Sequence, residues 1–227
     1  MTRAIQSENA PAITGHRYFV LFLFLLATLL LYPYAEASRF GYVAFRVLGS
    51  AAILLAVYAA KLRRSALILV LLLAVPAVYQ HIQLPKPSAV SFAIINMVLS
   101  FIFDLFVVVV IFRHVFSRDR ANSETIFGAL CIYLLVGFTF ASIYGMVAFF
   151  QPNAFYLDPH LNPHLIPDRF DFIYYSFGTM TSLGAAGVVP VSAQARSVSI
   201  LQAIIGVLYL AVLIARLMVA YRSDAKR

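Results

Sequence analysis

Tryptophan is absent from this 227-residue chain, cysteine occurs once, and charged residues make up only 11%. Each shortage excludes something. Without tryptophan, any interfacial aromatic belt has to be built from the 13 tyrosines and 20 phenylalanines. With Cys131 alone there is neither an intrachain disulfide nor a multi-cysteine metal site. So few charges, beside 63% hydrophobic residues and a mean hydropathy of +0.90, rule out a water-soluble domain. The same apolar excess excludes disorder. Nucleic-acid binding is excluded because the net charge of +8 is spread over short segments instead of gathered on one face. The basic excess is therefore read against a lipid bilayer. No internal repeat is evident, which disfavours an inverted-repeat transporter.

Counted against the ~20 residues a helix needs to cross the hydrocarbon core, the apolar stretches give about six spans. They cover residues 18–34, 40–60, 65–81, 90–112, 126–150 and 198–221. A polar, proline-marked stretch at 151–168 separates the last two. The amphipathic segment 169–180 that follows it is too short to cross, which marks a re-entrant helix. With the N-terminus inside, the inner segments hold Arg3, Arg17, Lys61, Arg63, Arg64, Arg113, Arg118, Arg120, Arg222, Lys226 and Arg227. The outer ones hold only Arg39, Lys86, Arg169 and Arg196. This asymmetry places both termini in the cytoplasm of a multi-pass protein in a cell membrane of bacterial inner-membrane type. The basic start, the first apolar run and Ala35-Glu36-Ala37 also satisfy a signal peptide with a mature end at Ser38; an uncleaved first span is the preferred reading.

The chemistry is concentrated between Asp171 and Pro190. A short helix entering the membrane and ending near Met180 directs its carbonyl end, with partial negative charge, at mid-membrane depth, where it stabilises a cation. The non-helical backbone after it, 181–187, has to be shielded by protein or line a watery path. The frame Thr179-x-Thr181-Ser182-Leu183-Gly184, followed four residues on by Val189-Pro190, resembles the pore domain of the potassium-channel superfamily. The resemblance is to the small bacterial members with two spans around a pore loop, and it covers residues 127–217. It implies a homotetramer passing monovalent cations, potassium or sodium, across the lipid bilayer. Thr181, Ser182, Leu183, Gly184, Ala185, Ala186 and Gly187 then take the place of the selectivity filter, whose backbone carbonyls replace an ion's water shell. Tyr174 and Tyr175 match the family's aromatic cuff, and Gly206 its hinge in the inner helix, with close helix packing as the other account of that glycine.

The family loop reads Thr-Val-Gly-Tyr-Gly-Asp, and this chain departs from it at three places. Ala185 replaces the bracing tyrosine, so the tyrosine pair loses a hydrogen-bonding partner. Ala186 replaces a left-handed glycine, a conformation that costs an L-residue about 1–2 kcal/mol, so the family geometry is not expected to be kept. Gly187 replaces the aspartate, which removes a carboxylate from the mouth. Restoring Tyr, Gly and Asp at these positions is the corresponding test.

Other signals have plainer readings. Asp104 is the one carboxylate well inside a span, with Arg46 and Arg216 as its candidate partners; a structural ion pair is favoured over an ion relay. The fourth span carries no repeated arginines, so it is no voltage sensor. His160 and His164 are four apart, but Pro159 and Pro163 interrupt any helix and no third metal ligand is evident. Ser176, Ser182 and Ser192 lack the surroundings of a serine hydrolase, and residues 184–187 lack the lysine of a phosphate loop.

The expected fold is thus an all-α polytopic membrane protein of about six helices with a re-entrant pore helix and filter loop between the fifth and sixth. A cytoplasmic N-terminus (1–17) leads to a four-helix membrane region of unassigned role (18–113). A cytoplasmic linker (114–125), a pore domain (126–221) and a cytoplasmic tail (222–227) follow. The expected function is passive cation conduction, with no enzyme activity, cofactor or metal. The alternative is a non-conducting channel-like subunit or scaffold.

Overall fold

A backbone surrounded by hydrocarbon has to satisfy its own amides, and the apolar runs accordingly become helices. The computed structural model describes residues 17–37, 39–59, 90–116, 123–162 and 164–224. In them lie α1 (Arg17–Ala37), α2 (Arg39–Ala59), α3 (Val90–Phe116), α4 (Ser123–Phe150), β1 (Phe155–Leu157), α5 (Arg169–Met180), β2 (Val188–Pro190) and α6 (Ala193–Asp224). The chain is an all-α membrane protein apart from one small ribbon. Segments of α3, α4 and α6 are each long and apolar enough to cross a bilayer, and α1 and α2 contain shorter apolar stretches. The expected span at 65–81 lies outside the described residues, as do 117–122 of the linker, 1–16 and 225–227.

Three hydroxyls inside these helices are satisfied locally. Thr28 donates to the Phe24 carbonyl at 2.8 Å, Thr139 to that of Leu135 at 2.8 Å and Ser142 to that of Phe138 at 3.2 Å. Each hydroxyl reaches one turn back, where it needs no water.

The central element is α4, which touches α1, α3, α5 and α6. Its N-terminal half packs Ala129, Cys131 and Ile132 against Tyr18 and Leu21 of α1 and Val107 and Ile111 of α3, all fully buried. Cys131 donates to the Tyr18 carbonyl at 3.3 Å. Arg17 lies 3.7 Å from Glu124 with both side chains largely covered, which joins the start of α1 to the first turn of α4. The C-terminal half of α4 packs Phe140 and Tyr144 against Phe45 of α2, Phe155 of β1 and Phe172 and Tyr175 of α5. Phe155 meets Tyr144, Phe172 and Tyr175 edge-on at ring separations of 5.7, 5.2 and 5.5 Å, the geometry that opposes ring quadrupoles favourably.

Strands β1 and β2 pair antiparallel, with Phe155 opposite Pro190 and Leu157 opposite Val188. This ribbon closes the connection between α4 and α5 onto the backbone that follows the 181–187 loop. The Ala154 carbonyl extends it by accepting from Val191 and Ser192 at 2.8 and 3.2 Å.

The burial of Tyr18, Leu21 and Leu25 makes α1 part of the core. A cut after Ala37 would strip that layer from α3 and α4. We expect the intact mass of the membrane-extracted protein to retain residues before Ser38; a mature end at Ser38 would show that the bundle holds without α1.

Candidate functional site

The site is built on α5. Asp168 precedes the helix in an extended conformation, and its carboxylate accepts from the Phe170 and Asp171 amides at 2.7 and 3.0 Å. Asp171 returns the bond, accepting from the Asp168 amide at 2.7 Å, so a full capping box starts the helix. His164 lies 3.0 Å from the same Asp171 carboxylate. The sequence reading found no third group for a histidine cluster. The structure brings Asp168 and Asp171 to His164, all within 4.8 Å of one another, and leaves His160 out, its backbone amide donating to Asp158 at 2.9 Å. Both carboxylates are already engaged as cap acceptors.

Beyond its cap, α5 is held by a chain of buried polar groups. Ser176 is fully buried and donates to the Gly137 carbonyl of α4 at 2.6 Å. Gln202 of α6, also fully buried, donates from Nε2 to the Ser176 hydroxyl at 2.7 Å and to its carbonyl at 3.0 Å. The Gln202 Oε1 accepts from Tyr144 of α4 at 2.6 Å. One residue along, the hydroxyls of Tyr175 and Ser199 are 2.6 Å apart, and Ser199 donates to the Ala195 carbonyl at 2.7 Å. The pair was expected to lose the family's partner at position 185, and Tyr175 has another on α6. Tyr174 turns the other way and is exposed.

Three glycines let backbone approach backbone or ring. A Cβ on Gly137 would lie 2.6 Å from the Phe177 ring, one on Gly178 would lie 2.8 Å from the Gly184 carbonyl oxygen, and one on Gly206 would lie 2.5 Å from that of Met180. Helix α6 runs unbroken through Gly206, which serves there as a close-packing contact with the end of α5.

The loop from Thr181 to Gly187 folds back over the end of α5. The Thr181 hydroxyl caps the Phe177 carbonyl at 2.7 Å, and the Gly184 amide donates to the Gly178 carbonyl at 3.1 Å. Left-handed backbone falls on Ser182 (φ 59), Gly184 (φ 83) and Gly187 (φ 86); Ala186 is not among these positions. Ser182 bears the strain of about 1–2 kcal/mol that such a conformation costs an L-residue. The Ala185 carbonyl accepts from the Val188 amide at 3.3 Å, and that of Gly187 from the Asp158 amide and Asn162 Nδ2, both at 2.9 Å. Thr181, Ser182, Leu183, Gly184 and Ala186 are exposed, Leu183 at 82%. Ala185 is half-buried against the aromatic core. Gly187 stands 2.8 Å, at its notional Cβ, from Asn162 Nδ2, so restoring an aspartate at this left-handed position is sterically opposed.

Of the two partners expected for Asp104 of α3, Arg216 is engaged elsewhere, and the pairing with Arg46 falls outside the described side chains. Arg216 lies with its guanidinium 4.5 Å over the Phe116 ring and donates to the Phe116 carbonyl at 3.2 Å, and the Arg46 side chain lies outside the described residues. The cation whose field reaches Asp104 is Arg169, the first residue of α5, and Ser142 donates to the carboxylate at 3.4 Å. The correction follows from depth: α5 starts beside the middle of α3. Ser192 is engaged as a cap, accepting from the Ala195 amide at 3.1 Å.

Residues 130–223 match the family model described as ion channel. This segment is similar to that ion-channel family, as its likeness to potassium-channel pores implied. The match begins inside α4, includes α5 and its loop, and ends in α6, while α1 to α3 lie outside it. No curated protein and no solved structure matches the chain. It is thus an ion-channel-like membrane protein, and α5 with its loop lies within the matched segment.

The residues that hold the pore helix, Tyr144, Gln202 and Ser199, were not singled out in the sequence. The available signal was polarity: Ser199 and Gln202 are spaced three apart in an otherwise apolar span, which puts both on one helix face. Replacing Gln202 by Leu leaves the Tyr144 and Ser176 hydroxyls short of a partner, at about 1–3 kcal/mol per group. Thermal unfolding in detergent should show a clear fall in Tm for this variant, and an unchanged Tm would remove the anchoring role. For the intramembrane charge, Asp104→Asn and Arg169→Gln should be non-additive in a double-mutant stability cycle, and Asp104→Asn and Arg216→Gln additive. The reverse pattern would restore Arg216 as partner.

Proposed function

We propose that four copies of the chain surround a pore through which monovalent cations pass passively, with the 181–187 loops as its narrowest part. The observation that carries this reading is the position of the loop. It follows a helix whose C-terminal carbonyl end is directed at it, and Thr181 to Gly184 are uncovered by the rest of the chain. Backbone of this kind is tolerated at membrane depth only where protein or water covers it, and a ring of copies around a watery axis supplies both. The apolar exposed face of α6, including Ile200, Ile204, Val207 and Leu208, is then shared between neighbouring copies and lipid. Region 126–221 acts as the pore domain and region 18–113 as a membrane collar. Both termini lie in the cytoplasm of a bacterial inner membrane.

Selectivity follows from which carbonyls are free. Ala185 and Gly187 spend theirs on bonds within the chain, so at most the rings at 181–184 and at Ala186 face an ion. Potassium preference needs several such rings at a spacing that suits potassium's water shell better than sodium's. A shortened set discriminates weakly.

The test is ion flux from purified protein in liposomes, measured for potassium and sodium separately. We expect similar flux of both. In Ala185→Tyr/Ala186→Gly, with Gly187 left in place, potassium flux should gain on sodium. Strong potassium preference in the unmodified protein would overturn the account of selectivity. Absence of flux in both proteins would favour a non-conducting subunit that modulates other channels.

A further inference from the structure

A second feature of the fold lies away from the loop. Between α1, α2, α3, α4 and the start of α5 is a cavity of about 300 Å³. Its walls include the side chains of Phe45, Phe103, Phe138 and Phe172, and its polar groups come from Asp104, Ser100, Ser142, Thr28 and the Asp168–Arg169 step. The formal charges on this lining are two carboxylates against one guanidinium, a net negative balance inside an aromatic enclosure.

Two polar groups in it are under-used. The Ser100 hydroxyl is buried, with the residue 5% exposed, and has no hydrogen-bond partner. An unmade bond at such a place costs about 1–3 kcal/mol, which a ligand contact recovers. Asp104 receives its Ser142 bond at 3.4 Å, long for a carboxylate acceptor, and Ser142 shares that proton with the Phe138 carbonyl.

We propose that this cavity is a binding site for a small lipophilic amine in its ammonium form. The ammonium group would sit against the Asp104 carboxylate, with Ser100 beside it and the phenylalanine rings around the apolar body. Carboxylate and aromatic faces together are the chemistry that recognises a substituted ammonium. Volume decides between amine sources. Ligand pockets run from about 300 to 1,000 Å³, and this one stands at the small end, enough for a single-ring amine and too little for a two-chain lipid carrying an ammonium headgroup. Arg169 is an exposed residue at one end of the cavity, so it competes with the amine for Asp104 and its removal favours binding. The site requires neither conduction nor a tetramer.

The probe pair is N,N-dimethylbenzylamine, protonated at neutral pH, and isobutylbenzene, its uncharged carbon counterpart of the same shape. Binding to the full-length protein in detergent micelles is followed by calorimetry and by thermal stabilisation. We expect the amine to bind at least about tenfold more tightly than the hydrocarbon. Asp104→Asn should abolish that difference while hydrocarbon binding persists, which reports that the cavity is still folded. Ser100→Ala should weaken the amine alone by a few-fold, and Arg169→Gln should strengthen it by a few-fold. Ala141→Leu, which fills the cavity from α4, should remove both ligands. Equal binding of amine and hydrocarbon to the unmodified protein would overturn the proposal and leave an apolar cavity only. So would amine binding unaffected by either Asp104→Asn or Ala141→Leu, which would place the amine elsewhere or in the micelle.

Discussion

Gln202 occupies the point where three helices meet, and the placement of α5 depends on its two ends being bonded to different partners. Its carbonyl oxygen takes the Tyr144 proton from α4 while its amide nitrogen grips Ser176 on α5, which in turn donates to the Gly137 carbonyl. Between helices in a bilayer there is no hydrophobic force to hold one apolar surface on another. Packing and interhelical hydrogen bonds have to do it. A twelve-residue helix such as α5, which does not span the membrane, has few contacts of its own to fix its depth and rotation. The side-chain amide suits the task because it offers donor and acceptor on one planar group, and both are engaged here.

The glycines follow from the same anchoring. Once Ser176 is drawn against Gly137, the next residue on α5 brings its ring onto α4, and only a residue without a side chain leaves room for Phe177 at that position. The end of α5 then rests on α6 at Gly206 and receives the returning loop at Gly178. Close contact at these three places seats the 181–187 loop on α5 and its neighbours. What the loop itself does is set more locally, by the left-handed residues and by the carbonyls that the 158–162 segment and Val188 take up.

Much of this was legible in the residue pattern, for a physical reason. Long apolar runs in a membrane have one stable conformation, so α3, α4 and α6 follow from hydropathy alone, and the capping residues at 168 and 171 bracket α5 as the amphipathic segment 169–180 implied. The frame around Thr181 and Pro190 was visible for the same reason: spacing along a chain survives substitution. Contacts between distant segments leave no such trace. The three-residue strands carry no periodicity to read, and Phe155 meets Pro190 across thirty-five positions of chain. The partner of Asp104 was sought among arginines within the spans. Arg169 was counted instead as an outer-loop charge, because its depth depends on how far α5 dips beside α3, which hydropathy does not report. Tyr175 was misread differently: a family partner was missing, but Ser199 replaces it from another helix.

The placement of Arg169 has a consequence for how the two parts of the chain are related. The family match begins in α4, so α1 to α3 lie outside the recognised pore segment. Yet α3 presents Asp104 to the first residue of the pore helix, and Ser142 on α4 bonds to the same carboxylate. A carboxylate at such depth is costly to leave without polar or charged neighbours, and here Ser142 and Arg169 supply them. At its other end α5 is held through Ser176 and Gln202, groups that carry no formal charge. Helix α5 therefore has its first residue within reach of the α3 carboxylate and is hydrogen-bonded to α4 and α6 further along.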